Sequence, residues 1–380
     1  MAFLRTYLAD RAVQASDAAS FRQDMPRTGI VSAIELGVRI TNGATSGTEI
    51  IADAIDRIEV LANGSFPIVS LTGRSAYALA SLFLKRRPPQ VRTMAASGVQ
   101  EAWFLIPFGF SIWSPLGHID LARYQQVQLV VTYSPTIAAT GFTTATTTFT
   151  VKLYQWSQDS APGAGGGYIR SREIFSFDTG ASGDQQVLLP TEYPLLGLLI
   201  LSREAGIALE TDLTRVRLLD KIGGAELFNR RTEDAAAEND EELGLEAIER
   251  GRGLNIDADT LDTDVNFIQA FFTTPLFAQT GAAGTKMTMP AAITGDRVTL
   301  SMNDLADAAA DTHVTVTAAV QAHLWQSLGR GLPHAIYLPL HHWGRPETAY
   351  PAPQRDQLVL LLTQGGAGAN VRVNALEWAA

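Results

Sequence analysis

Cysteine is absent from all 380 residues, which removes disulfides, thiol catalysis and Cys-ligated zinc together. Charge is scarce: Asp, Glu, Lys and Arg make up 18% of the chain, against about 25% in an average globular protein. Sparse charge suits surface that is buried against another subunit, so extensive subunit contact is expected. A basic surplus is also missing. The net charge of −10 and pI near 5.1 argue against direct nucleic-acid binding, which needs Lys and Arg to neutralise phosphates. No apolar run reaches the roughly 18 residues of a membrane span; "YPLLGLLILS" is the nearest. The first 29 residues lack the apolar core of a signal peptide, so the chain reads as made and assembled in a cytoplasm.

Apolar residues make up 46% of the chain, enough for a full core, and their period is mostly two. In "IVSAIELGVRIT", Ile34, Leu36, Val38 and Ile40 face one way, with Glu35 and Arg39 on the other side. "RIEVLANGS" and "FPIVSLTG" flank Asn63-Gly64, a hairpin turn pair. "AWFLIPFGF", "QVQLVVTY", "TTFTVKLYQW", "REIFSFDTG", "LTRVRLLD", "DVNFIQAFF", "DRVTLSM" and "THVTVTAAVQAHLWQ" continue the pattern. Short strands separated by Gly, Pro, Thr and Asn are the signature of an all-β sandwich protein.

Two stretches read as helices. In "RSAYALASLFLKRRPP", Ser75 caps, Leu79, Leu82 and Phe83 form the apolar face, and Pro88 stops the helix. "RRTEDAAAENDEELGLEAIERGRG" is acidic but interrupted by Leu243, Leu245 and Ile248, which predicts a solvent-facing helix. Residues 1–29 read as an N-terminal arm. Phe3 and Tyr7, and Leu4 and Leu8, stand at helical i,i+4 spacing before a polar tether ending at Pro26 and Gly29.

A long repeat is suggested by order rather than identity. "VKLYQWSQ", "EIFSFDTG", "PLLGLLILSREAG" and "LTRVRLLD" are matched near the C-terminus by "AHLWQSLGRG", "AIYLPLHHWG", "DQLVLLLTQGGAG" and "VRVNALEW". This arrangement predicts one sandwich over 30–220 and a second over 221–380, with the boundary at "KIGG".

Candidate chemistry is thin. "HHWGRP" (341–346) is the most site-like stretch, and in this repeat it fills the slot of "DTGA" in the first copy. Adjacent His341 and His342 on a strand end point to opposite faces and cannot chelate one ion together. They therefore read as a loop rim. In "NIDADTLDTD", Asn255, Asp257 and Asp259 match the start of a calcium loop, but Thr260 stands where glycine is needed and Asn266 where the bidentate Glu belongs. Asn255–Asp264 is thus at most a weak cation loop. "SQDSAPGAGGG" and "GAAGTK" lack nucleotide-binding spacing, and no G-x-S-x-G elbow occurs. No catalytic, cofactor-binding or metal-ligating residue is assigned, and the chain reads as not an enzyme.

The arm at 1–29, the "IELGVRIT…IEVLANGSF" opening and the paired "LLGLLILS" and "QLVLLLTQ" endings resemble a double jelly-roll major capsid protein of the tectivirus and adenovirus lineage, whose members build tailless icosahedral virions. The resemblance covers nearly the whole chain. It implies two tandem eight-stranded jelly rolls with short connecting helices and a homotrimer of pseudo-hexagonal outline tiling an icosahedral shell. It further implies neighbouring capsomers, penton and minor capsid proteins as partners, and an internal membrane touched by the arm. The second copy's opening strands are not evident in the sequence. The alternative is a tandem jelly-roll glycan-binding protein or glycan-processing hydrolase, with Trp103, Trp113, Trp156 and Trp343 as a sugar platform.

Overall fold

The computed structural model describes residues 3–380 except 17, 45–49, 92–96, 138–140, 158–165, 204–208, 221–224, 245–247, 254–259, 264–266, 273–296, 303–311, 318–322, 330–331, 333 and 356. Side-chain surroundings are not described over 245–331. The chain begins with β1 (Phe3–Gln14), β2 (Ala19–Asp24) and β3 (Ile30–Thr41). Next come α1 (Ile51–Ala54), β4 (Ile55–Ala62), β5 (Phe66–Leu71) and α2 (Gly73–Leu84). Then follow β6 (Gln90–Val91), β7 (Val99–Pro107), β8 (Ile119–Asp120), β9 (Val127–Tyr133) and β10 (Thr147–Trp156). One sheet runs β1-β10-β3-β7-β6, and β2-β9-β4-β5 covers it. The apolar faces meet in a core that includes Leu36, Val38, Val60, Phe104, Leu129 and Phe149.

Alternation in the sequence decides these strands. Ile34, Leu36, Val38 and Ile40 are all buried, and Glu35 and Arg39 are not. The Asn63-Gly64 hairpin also forms, with φ of +51° and +79°, the left-handed pair that a tight hairpin turn requires. The cap of α2 is Thr72 rather than Ser75: its side chain accepts from the Ser75 amide, and Ser75 itself lies inside the helix and is buried.

The arm is not a free helical turn. β1 pairs antiparallel with β10 from Phe3↔Trp156 to Gln14↔Thr147, and β2 pairs with β9. The i,i+4 spacing of Phe3, Leu4, Tyr7 and Leu8 was a coincidence of an apolar strand whose register slips between Tyr7 and Ala9. Edge pairing satisfies backbone groups that a four-residue turn would leave to water.

After β10, β11 (Tyr168–Asp178), β12 (Gly183–Leu188) and β13 (Leu195–Arg203) lead to α3 (Leu209–Asp212). β14 (Leu213–Asp220), β15 (Ala225–Arg231) and α4 (Thr232–Leu243) follow. β16 (Ile248–Gly253), β17 (Thr260–Thr263), β18 (Phe267–Phe272), β19 (Arg297–Met302), β20 (Thr312–Thr317) and β21 (His323–Gly329) form two small sheets of their own. The chain ends with β22 (Ala335–Pro339), β23 (Leu358–Gln364) and β24 (Asn370–Ala379).

Strand pairing does not follow the expected division at residue 220. β11-β24-β13-β22 forms one layer and β12-β23-β14-β15 the other, with Leu198, Ile200, Val216, Leu218, Leu360 and Val373 in the core between them. The strands over 168–220 thus belong with the C-terminal strands. These are the second copy's opening strands, which the sequence reading placed in the first. The proposed repeat was out of phase for the same reason: "EIFSFDTG", "LLGLLILS" and "QLVLLLTQ" all lie in one sandwich.

The duplication is instead β1 with β11, β2 with β12, β3 with β13, β4 with β14 and β5 with β15. It continues as α2 with α4, β7 with β22, β9 with β23 and β10 with β24. Each of the pairings β1·β10, β10·β3, β3·β7, β2·β9, β9·β4 and β4·β5 has its counterpart. The segment carrying β16–β21 lies between α4 and β22; in the first copy the described residues between α2 and β7 carry β6.

Candidate functional site

Among the described residues, the functional geometry that can be built is that of the joint between the two sandwiches. β5 of the first sandwich pairs in parallel with β11 of the second, at Ser171↔Val69 and Arg172↔Ser70. This short ladder merges β2-β9-β4-β5 and β11-β24-β13-β22 into one eight-stranded sheet. Arg172 makes a bidentate bond to the fully buried Glu377, at 3.0 and 2.9 Å. Its bonds to the Glu377 carboxylate hold the guanidinium more firmly protonated than an ordinary arginine. Arg170, also buried, lies 3.5 Å from Glu377, donates to the Pro67 carbonyl across the joint at 3.0 Å, and reaches Glu192 at 3.2 Å. Its guanidinium lies over Phe66 of the first sandwich and Tyr193 of the second. A buried pair with its remaining donors satisfied fixes geometry more than it adds stability. Arg57 of β4 also crosses the joint, 3.7 Å from Glu173 of β11.

The "HHWGRP" stretch lies at the same joint, after β22. The two histidines diverge. His342 is exposed, while half-buried His341 places Nδ1 2.6 Å from the Leu196 carbonyl oxygen. Burial pushes the His341 imidazole below its usual pKa. Its ring meets Phe110 and Trp343, and Trp343 in turn contacts Phe83 of α2 and Tyr337 of β22. Lys85, the left-handed C-cap of α2, sets its Nζ 4.0 Å over the Trp343 ring, and burial lowers its amine to about 8. Rings from both sandwiches thus interlock around one cation. Because β22 corresponds to β7, the counterpart of "HHWG" is the segment after β7 that carries Phe110, not "DTGA".

The four tryptophans have separate surroundings. Trp103 covers Gly37, lies under the Lys152 ammonium at 3.7 Å and donates to Glu101. Trp156 donates to Ser32. Trp113 is exposed in the loop after β7, and Trp343 belongs to the joint. No shared sugar platform is built from them. Of the calcium-like loop, Asn255, Asp257, Asp259 and Asn266 lie outside the described residues, and Thr260–Thr263 forms β17. Among the described residues, no three His, Asp or Glu side chains gather as metal ligands. Arg170, Arg172 and Glu377 carry no local signal in the sequence, because β11 and β24 hold other charged and polar residues as well.

Two sandwiches of like strand order, edge-joined in one chain, define the double jelly-roll class. No protein-family model matches the sequence, and no curated protein matches it. Solved structures do. The chain is similar to the STIV MCP, of Sulfolobus turreted icosahedral virus, at 11% identity and a TM-score of 0.61, over 99% of this chain and 96% of that one. PBCV-1 VP54, fitted into a reconstruction of the virophage Sputnik, matches at 9% identity and 0.55, over 99% and 93%. The major capsid protein P2 of bacteriophage PM2 matches at 11% and 0.50, over 99% and 98%. At such identities the likeness is one of fold: this chain has the double jelly-roll fold of viral major capsid proteins.

Proposed function

We propose that the protein is a major capsid protein that forms trimers of pseudo-hexagonal outline and tiles an icosahedral shell. The observation that carries this reading is the end-to-end duplication: two sandwiches of the same strand order, locked side by side through β5·β11 and the Trp343 cluster. A rigid pair of like blocks lets three chains imitate six units, which suits hexagonal lattice positions. Coverage of nearly the full length of viral capsid proteins supports it. The chain then divides at the glycine-rich segment 157–167, between β10 and β11, rather than at 220.

On this reading the role is structural and not catalytic, the protein resides in the virion, and assembly takes place in the host cytoplasm. Its first partners are other copies of itself, with penton and minor capsid proteins beside them. Contact with an internal membrane, on this reading, is made through the N-terminal residues 1–29, of which Phe3–Gln14 is held in a sheet. The glycan-binding alternative gains nothing from the separated tryptophans. Electron microscopy of the expressed protein is the test. Hexagonal sheets or closed shells of trimers are expected; particles without lattice order under all assembly conditions would reject the proposal.

A further inference from the structure

We propose that β15 of one chain pairs in parallel with β1 of the next copy, reproducing between chains the joint that β5 and β11 make within one. The inference rests on the capsid reading above and adds the strands and register of the contact.

Duplication supplies the argument. In the first sandwich the outer edge of β5 is closed by β11. The counterpart of β5 is β15 and the counterpart of β11 is β1. Among the described residues each of these pairs on one side only, β15 with β14 and β1 with β10. One chain therefore presents the two halves of a joint that it has already made once. Open strand edges are a liability unless covered or paired. These carry exposed apolar side chains: Leu4 (43%), Tyr7 (55%) and Val13 (68%) on β1, and Leu227 (38%) on β15.

Register follows from irregularities shared by the two copies. β4·β5 slips between Val60 and Leu61, and β14·β15 between Leu218 and Leu219, which matches Val69 to Phe228 and Ser70 to Asn229. β1·β10 slips after Tyr7 and β11·β24 after Glu173, which matches Ser171 to Arg5 and Arg172 to Thr6. The internal pairs then become Arg5 opposite Phe228 and Thr6 opposite Asn229. Side chains fit this substitution. Where Arg172 binds Glu377, the matched Thr6 accepts from the Gln155 amide at 2.8 Å. Where Arg57 faces Glu173, the matched residues are exposed Arg215 and Tyr7, a guanidinium and a ring suited to stack. The two edges differ, so association is head-to-tail, the kind of contact that closes into a ring when the rotation per joint is a whole fraction of a turn. A ring of three chains alternates three internal joints with three between chains.

Because the chain has no cysteine, Thr6→Cys combined with Asn229→Cys gives an unambiguous test by mild oxidation. A covalent trimer on denaturing gels is expected from the double variant and none from either single variant. Hydrogen exchange on the unmodified protein is the second readout: β15 amides should gain protection when separated chains assemble. A trimer in solution that neither cross-links nor protects β15 overturns this joint and leaves the capsid reading standing. A protein that stays monomeric at every concentration overturns both.

Discussion

His341 and His342 are neighbours in sequence with unequal consequences on substitution. His342→Ala removes an exposed ring and should change stability by less than about 0.5 kcal/mol. His341→Ala removes the bond to the Leu196 carbonyl and ring contacts at the joint, and should cost about 1–2 kcal/mol. Chemical denaturation of the two single variants separates these outcomes; equal effects would contradict the placement of His341. Lys85 offers a pH test at the same spot. Its amine titrates at about 8 in the folded chain, against 10.5 for the ordinary group. The unfolded chain therefore holds this proton more tightly. The penalty is fully present below the folded value and is relieved as pH rises from about 8 toward 10.5. Lys85→Met keeps the bulk over Trp343 and removes the charge. Melting of the variant should be no lower than the parent at neutral pH, and should lack the parent's gain on moving from pH ~8 to ~10. A variant that follows the parent across that range would show that Lys85 is not the group responsible.

At the scale of elements, β1 and β2 decide what truncation does. A free arm could be removed without harm, but here residues 1–29 supply an edge strand to each sheet of the first sandwich. Phe21 of β2 is buried and stacks on Phe149 at 4.8 Å between ring centres. Phe21→Ala should cost about 3–5 kcal/mol, the usual range for an emptied aromatic site. Deletion of 1–29 should abolish cooperative melting of the first sandwich, as read by near-ultraviolet circular dichroism. A deletion variant that melts like the parent would contradict the pairing.

These elements also show what a sequence can and cannot reveal. β3, β9 and the Asn63-Gly64 hairpin were legible because alternation and turn chemistry are local. β1 was misread because helical spacing and a bulged strand look alike over eight residues, and only its distant partner β10 decides between them. The division between sandwiches was misplaced because the strands over 168–203 pair mainly with residues from 335 onward, and no local pattern records that distance. His341 and His342 could be called divergent from strand geometry alone. That His341 packs in a ring cluster between sandwiches depended on α2 and β7, which lie far away in sequence.

Among the described residues, two like sandwiches are merged through one sheet, two small sheets lie between α4 and β22, and the strand edges of β1 and β15 pair on one side only. Low charge, exposed apolar residues on those edges and the internal joint are the features from which we propose that the chain is a segment of a ring. Light scattering behind gel filtration tests this most directly. The account predicts a single species of three times the 40.9 kDa chain mass, held over a wide range of protein concentration. A species at 40.9 kDa that persists as concentration rises would contradict it.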